Sequence, residues 1–303
     1  MSDQRKLVEN RLRQAWPDAG TSQQEKLVTF LLAAYDRYHE ESLGDNHFSS
    51  EFLSESPLTF QQRLSELLMA EWLWRHGFNL SSSPKGHGPD FKVEKGGQSA
   101  WIELVSPEPK GLALEDVTVP APGELRKARS VPHSARALCW TSSLRAKRQQ
   151  LERHVAANIV MPGDIYVIAV NARMLVSPYF GDISGISRLP MPVELGFGVG
   201  PTAIEIDPIT TKAVGSHVIY RADIPNRNGS PVDTHVFLDP AYVSVSAVLG
   251  VCFHDFAAFG RSYPSAIAHN PKAVTQLPQL WLPCDEHWMG IDYRDHWKLT
   301  RIG

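Results

Sequence analysis

The stretch Gly88 to Val105, GPDFKVEKGGQSAWIELV, decides the architecture. Asp90–Glu94 and Ala100–Val105 are extended runs, and EKGGQ between them carries the glycines of a hairpin turn. Glu103 stands between Ile102 and Leu104 in a run that is otherwise apolar, the pattern of a strand covered on both faces. A carboxylate in such a place is costly unless a cation or hydrogen-bond donors meet it. Its bland alternative is a frayed strand end, paired with a nearby arginine. Gly88-Pro89 fixes the backbone at the entry to the first run and lets Asp90 point beside its neighbour; Asp is also common as a turn or cap residue. An Asp on one arm and a Glu thirteen positions later on the other can converge. Together with the Leu104 carbonyl they form the hard oxygen set that Mg²⁺ or Mn²⁺ prefers.

Working outward, a helix from about Thr59 to His76 carries Leu64, Leu67, Leu68, Trp72 and Leu73 and stops at Gly77. Before it, residues 3 to about 40 read as two helices, the second with Leu27, Phe30, Leu31, Ala34 and Tyr38 on one stripe. The polar stretch 41–57 reads as a linker, so residues 1–57 form a small helical region ahead of a main α/β domain at 58–303. After the hairpin comes a Pro-rich loop from Ser106 to about Ala135, then a helix from about Ser142 to Ala157 and a buried strand at Ile165–Asn171. Residues 172–215 are rich in Gly and Pro and resist assignment; Thr234–Leu238, Val243–Cys252 and Ala266–His269 look like further strands extending the sheet. Helix, hairpin, helix and strand in that order predict a mixed sheet flanked by helices.

The helix TSSLRAKRQQLERHV adds a third chemical element. Lys147 lies three residues after Leu144 and four before Leu151, on the apolar side and away from the solvated charges. Its ammonium either snorkels past the core or reaches the two carboxylates, where it would position a water or stabilise a pentavalent phosphate. Gln150 is an auxiliary candidate from the same surface.

Helix-Glu, GPD, IEL and helix-Lys, in that order, resemble the PD-(D/E)xK nuclease superfamily over Glu66 to about Asn171, roughly a third of the chain. The resemblance implies a restriction-endonuclease-like α/β fold with its motif core at 59–171. By position it implies Asp90 and Glu103, with the Leu104 carbonyl, as ligands of Mg²⁺ or Mn²⁺, and Glu66, eleven residues before Gly77, as an auxiliary acid. Glu71 is a rival to Glu66, sharing a helical face with Leu64, Leu67 and Leu68. The motif lysine belongs two residues after Glu103, where this chain has Val105; Lys147 stands where a lysine moved to the next helix is expected. The implied activity is metal-dependent hydrolysis of phosphodiester bonds in DNA or RNA. The alternative is a nuclease-fold module without catalysis that binds nucleic acid or a protein.

Charge points the same way. Between Arg126 and Arg153 lie eight Lys or Arg against Glu152 alone, in a chain of formal net charge -3. Arg126, Lys127, Arg129, Arg136, Arg145 and Arg148 are the candidates to track a phosphate backbone, and Trp101, Trp140 and His133 could add stacking. A solvated basic face is the plain alternative.

Composition excludes other classes. With 303 residues, 43% hydrophobic and 21% charged, the chain is no disordered tail, fibre or coiled coil. Its longest uncharged apolar-leaning run, Ala241–Phe253, is too short for the ~20 residues of a membrane span. The opening MSDQRKLVEN places charges where a signal peptide needs an apolar run, and Cys139, Cys252 and Cys284 show no CxxC spacing, so a reduced, cytoplasmic location is expected. His254-Asp255, His269-Asn270 and Cys284-x-x-His287 lack zinc-site spacing, and no Walker A, GxGxxG, GxSxG or HExxH pattern occurs.

Overall fold

A computed structural model describes residues 2–17, 21–83, 87–121, 123–126, 129–177, 182–292 and 297–303. In chain order these form α1 (Ser2–Ala15), α2 (Thr21–Glu40), α3 (Phe48–Phe52), α4 (Pro57–Arg75), β1 (Asn79–Ser81), β2 (Phe91–Lys95), β3 (Gln98–Val105), α5 (Leu114–Val117), α6 (His133–Ala156) and β4 (Tyr166–Asn171). There follow α7 (Met191–Phe197), β5 (Val199–Ile206), β6 (Ala213–Tyr220), β7 (Asp223–Pro225), β8 (Pro231–Asp233), β9 (Ala247–Val251), β10 (Ser265–His269), β11 (Glu286–Asp292) and β12 (Trp297–Ile302).

The hairpin that the sequence predicts is β2–β3, with Gly96 and Gly97 at φ 60° and 78° in its turn, a conformation glycine enters without steric cost. It sits in an eight-stranded sheet of order β1-β2-β3-β4-β9-β10-β11-β12. The pairs β3–β4, β4–β9 and β10–β11 are parallel and the others antiparallel, so the sheet is mixed. One face, with Ile102, Leu104, Val167, Ala169 and Leu249, packs under α1–α4. The other, with Trp101, Tyr166, Ile168, Val170 and Val248, packs under α6 and α7. Helices thus cover both faces of a largely buried sheet.

Ser56 caps α4, its hydroxyl accepting from Thr59 N–H at 3.4 Å, with Pro57 at the first helical position. Several expectations are corrected. The stretch 41–57, read as a linker, contains α3, whose Phe48 and Phe52 are 3% and 0% exposed and join the core that α4 shares with the sheet. The helix expected from Ser142 starts at His133, because Pro132 opens it where a proline costs no hydrogen bond. Thr234–Leu238 is not a strand: Val236–Leu238 is a 3₁₀ turn. Deleting the Phe52 ring is expected to cost about 3–5 kcal/mol; a Phe52→Ala chain that melts at the wild-type temperature would contradict the packed role of α3.

Candidate functional site

Four elements meet beyond the carboxyl end of β3, the end of an open α/β sheet at which ligands bind. The β2–β3 register pairs Phe91 with Ile102; continued one step it places Asp90 opposite Glu103, and continued two steps Pro89 opposite Leu104. A residue of an antiparallel ladder directs its N–H and C=O to the same side. Leu104 N–H therefore points past the end of β2 and donates to Asp90 Oδ2 at 2.7 Å. Its carbonyl leaves on that side too, facing a proline that has no N–H to offer. Gly88 is required just before: a Cβ there would lie 2.0 Å from Ser83 Oγ, so only glycine lets the chain enter β2 on this path.

Glu103 is 1% exposed and shares its sheet face with Tyr166. Lys147 Nζ, from α6, donates to Glu103 Oε1 at 2.5 Å and to Gln150 Oε1 at 3.3 Å. Tyr166 Oη donates to Glu103 Oε2 at 3.4 Å, and His154 Nε2 stands 3.7 Å from the same oxygen. Helical placement of Lys147 between Leu144 and Leu151 does bring the amine inward, as the spacing implies.

Glu66 and Asp90 line one cavity of about 350 Å³ with Tyr38, Asp45 and Arg63. Arg63 Nη1 holds Glu66 at 2.9 Å and its guanidinium also pairs with Asp45 at 3.1 Å and Glu51 at 2.6 Å. Glu71 lies away from this cavity, paired with Arg75 at 2.8 Å. Glu66 is thus the α4 carboxylate that accompanies Asp90.

Electrostatics tie the group together. Burial and then the Glu103 charge raise the Asp90 pKa to about 7. Burial and then Asp90 raise Glu66 to about 8. Burial alone would lower the Lys147 pKa, yet Glu103, Asp90 and Glu66 together push it above its ordinary value. Five carboxylates (Asp45, Glu51, Glu66, Asp90, Glu103) against Arg63 and Lys147 leave a formal charge of −3. The oxygen donors that a hard cation would use here are Asp90, Glu103 and the Leu104 carbonyl. Among the described residues, no three His, Cys, Asp or Glu side chains are grouped closely enough to hold a metal by themselves.

The basic stretch is dispersed. Arg126 staples its own loop, donating to the carbonyls of Glu115, Thr118 and Val119 and to Glu124. Arg129 pairs with Glu115 at 2.9 Å and Arg148 with Glu152 at 2.6 Å. Arg136 is half-buried, and burial lowers its pKa. Lys127 lies outside the described residues. Arg145 is exposed and lines a second cleft. Trp101 and Trp140 are core residues at 6% and 1% exposure, so they offer no stacking surface. His269 and His287, discounted in the sequence, face each other in the core at 3.0 Å.

Sequence reasoning missed Arg63, Tyr166 and His154. Arg63 is one turn before Glu66, and His154 two turns after Lys147, so helical arithmetic held both signals. Tyr166 reads as an ordinary strand aromatic and carries no such signal.

Comparison of the chain with protein-family models, with curated proteins and with solved structures gave no match. No helix among the described residues is long and apolar enough to cross a membrane.

Proposed function

We propose that this protein is a metal-dependent nuclease of the PD-(D/E)xK kind, hydrolysing phosphodiester bonds of nucleic acid. The observation that carries the reading is the convergence of Asp90, Glu103 and Lys147 beside the Leu104 backbone, in the order that the motif requires. A hard divalent cation fits this donor set: the ligands are all oxygen, and the buried carboxylates repel one another with too little positive charge to balance them. Mg²⁺ or Mn²⁺, when bound, supplies Lewis-acid polarisation of the phosphate and a water of lowered pKa.

The side chains have separable tasks. Asp90 is oriented by the Leu104 N–H, which leaves its other oxygen for a ligand. Glu103 is held by Lys147 and Tyr166. Lys147 keeps its proton, so it acts as a hydrogen-bond donor to phosphate oxygen, where negative charge grows in the transition state. Glu66, whose carboxyl titrates above its ordinary range, is suited to take a proton from a water in the shared cavity. The decisive test is divalent-dependent cleavage of DNA or RNA that Asp90→Ala and Glu103→Ala each abolish; unchanged cleavage in both variants removes the proposal.

The second reading is a catalytically silent nuclease-fold module. On its side is the engagement of Glu103 by Lys147, Tyr166 and the nearby His154, with Val105 in place of the motif lysine. Binding of nucleic acid that persists in EDTA, without cation uptake or cleavage, selects it.

Cation binding also carries a pH signature. The folded-state pKa values of Asp90 and Glu66 are raised, so the folded chain holds protons that the unfolded chain has already lost. Without cation, stability therefore falls as pH rises through about 7 and 8. A cation binds the ionised carboxylates, so its stabilisation grows over the same window. Saturating Mn²⁺ is expected to raise Tm by about 5 °C near pH 8.5 and by much less near pH 6. An equal shift at both, measured by scanning calorimetry, would contradict this assignment.

A further inference from the structure

A cleft of about 620 Å³ lies against the site and is larger than the cavity of Glu66 and Asp90. Its floor includes Val105, two residues after Glu103 and therefore on the same face of the sheet. Gln62, one turn before Glu66 on α4, closes one side, and Thr141 and Arg145, ahead of Lys147 on α6, form another.

The far wall is the tip of the β7–β8 hairpin. Pro225 and Pro231 pair at its neck, and Ile224, 2% exposed, anchors it in the core beneath α6. Its turn is stiffened from within: Asn228 N–H donates to Asn226 Oδ1 at 3.0 Å, and Ser230 N–H to the same oxygen at 3.2 Å. Arg227 extends from this turn across the cleft mouth. Its guanidinium lies over Gly111, where a Cβ would come within 2.8 Å of Arg227 Nη2. A side chain at position 111 would push the arginine aside.

Charge and chemistry define what fits. Lys110 is neutralised by Glu108 at 3.1 Å. Arg145 and Arg227 form no ion pair among the described residues, although Arg145 also borders a small pocket that holds Asp233 and Asp239, so the lining of the cleft carries a formal charge of +2 from Lys110, Arg145 and Arg227 against Glu108. Apart from the Cys139 thiol, which donates to the Lys110 carbonyl, the other polar side chains are hydroxyls and amides, which hydrogen-bond phosphate and sugar. None of the described lining residues is aromatic, so unpaired bases find no stacking platform.

We infer that this cleft binds the phosphate backbone of duplex nucleic acid flanking the bond to be cut, with Arg145 and Arg227 as its two phosphate contacts. The inference rests on the nuclease reading above, and β7–β8 acts in it as a fixed clamp arm.

The test measures binding of a short labelled duplex in EDTA as a function of salt, so its outcome does not depend on catalysis. The Arg145→Ala/Arg227→Ala chain is expected to bind about tenfold more weakly, with the salt slope reduced by about 2, irrespective of duplex sequence. Arg145→Lys/Arg227→Lys keeps both charges and is expected to retain most of the slope, which separates lost contacts from misfolding. Three results would each overturn the inference: no binding of duplex by the wild-type chain at low salt, an unchanged slope in the alanine variant, or single strands or polyglutamate competing as well as the duplex. Loss of the catalytic proposal through active Asp90→Ala and Glu103→Ala variants would leave this binding result standing by itself.

Discussion

Asp90→Asn and Glu103→Gln are each expected to lower divalent-dependent cleavage by at least about 10²–10³-fold, the scale seen when one preorganised group is removed from a charge-stabilising site. The two substitutions act differently. Asn at 90 keeps an oxygen for the Leu104 N–H, which Asp90 now accepts at 2.7 Å, but removes the charge that a cation needs. Gln at 103 leaves Lys147 without its closest carboxylate, so the ammonium turns toward Gln150 and Asp90. Glu66→Gln is expected to cost about 10²-fold, the lower end for a group that takes a proton without holding the cation. Cleavage by either of the first two variants at the wild-type rate would separate the acidic pair from catalysis.

Lys147→Met is expected to be the most destabilising single change in the site. Glu103 is 1% exposed and the lysine side chain 18%, so the substitution strips the cation from an enclosed carboxylate. Breaking a buried ion pair from one side costs about 3–5 kcal/mol. Lys147→Met/Glu103→Gln, which removes both charges of the pair, is expected to recover most of the loss, because a neutral pair of similar shape is tolerated where a lone charge is not. Denaturant melts of the wild-type, the two single variants and the double variant close the cycle. Additive effects would mean that the 2.5 Å contact contributes no coupling.

The hairpin core was legible in the sequence because local chemistry determines it. Two glycines at positive φ make the turn, alternating faces follow from the pleat, and Gly88-Pro89 ends the ladder where Asp90 and Leu104 must meet. The side of α6 that carries Lys147 was legible from its spacing between Leu144 and Leu151, whereas the choice between snorkelling and reaching Glu103 was settled only by the contact itself. Choosing Glu66 over Glu71 was not legible, since both lie on packed faces of α4 and only the position of Arg63 and the cavity separates them. The α3 helix hid in a polar stretch, although Phe48 and Phe52 stand one turn apart and meet with ring centroids at 5.7 Å. The strands β5–β8 are largely exposed and β12 lies at the sheet edge, so they lack the buried apolar run by which the inner strands were read. The dispersal of the basic stretch has another origin: Arg126 and Arg129 find acids and carbonyls of their own loop, which charge counting does not see.

Anomalous diffraction from crystals soaked in Mn²⁺ near pH 8 probes the heart of the matter, a divalent cation seated between two strand-end acids. A single strong peak in contact with the Asp90 and Glu103 carboxylates, lost in Asp90→Asn crystals, is the expected result. Crystals soaked at saturating Mn²⁺ with no peak there, or with manganese only at surface carboxylates, would contradict it.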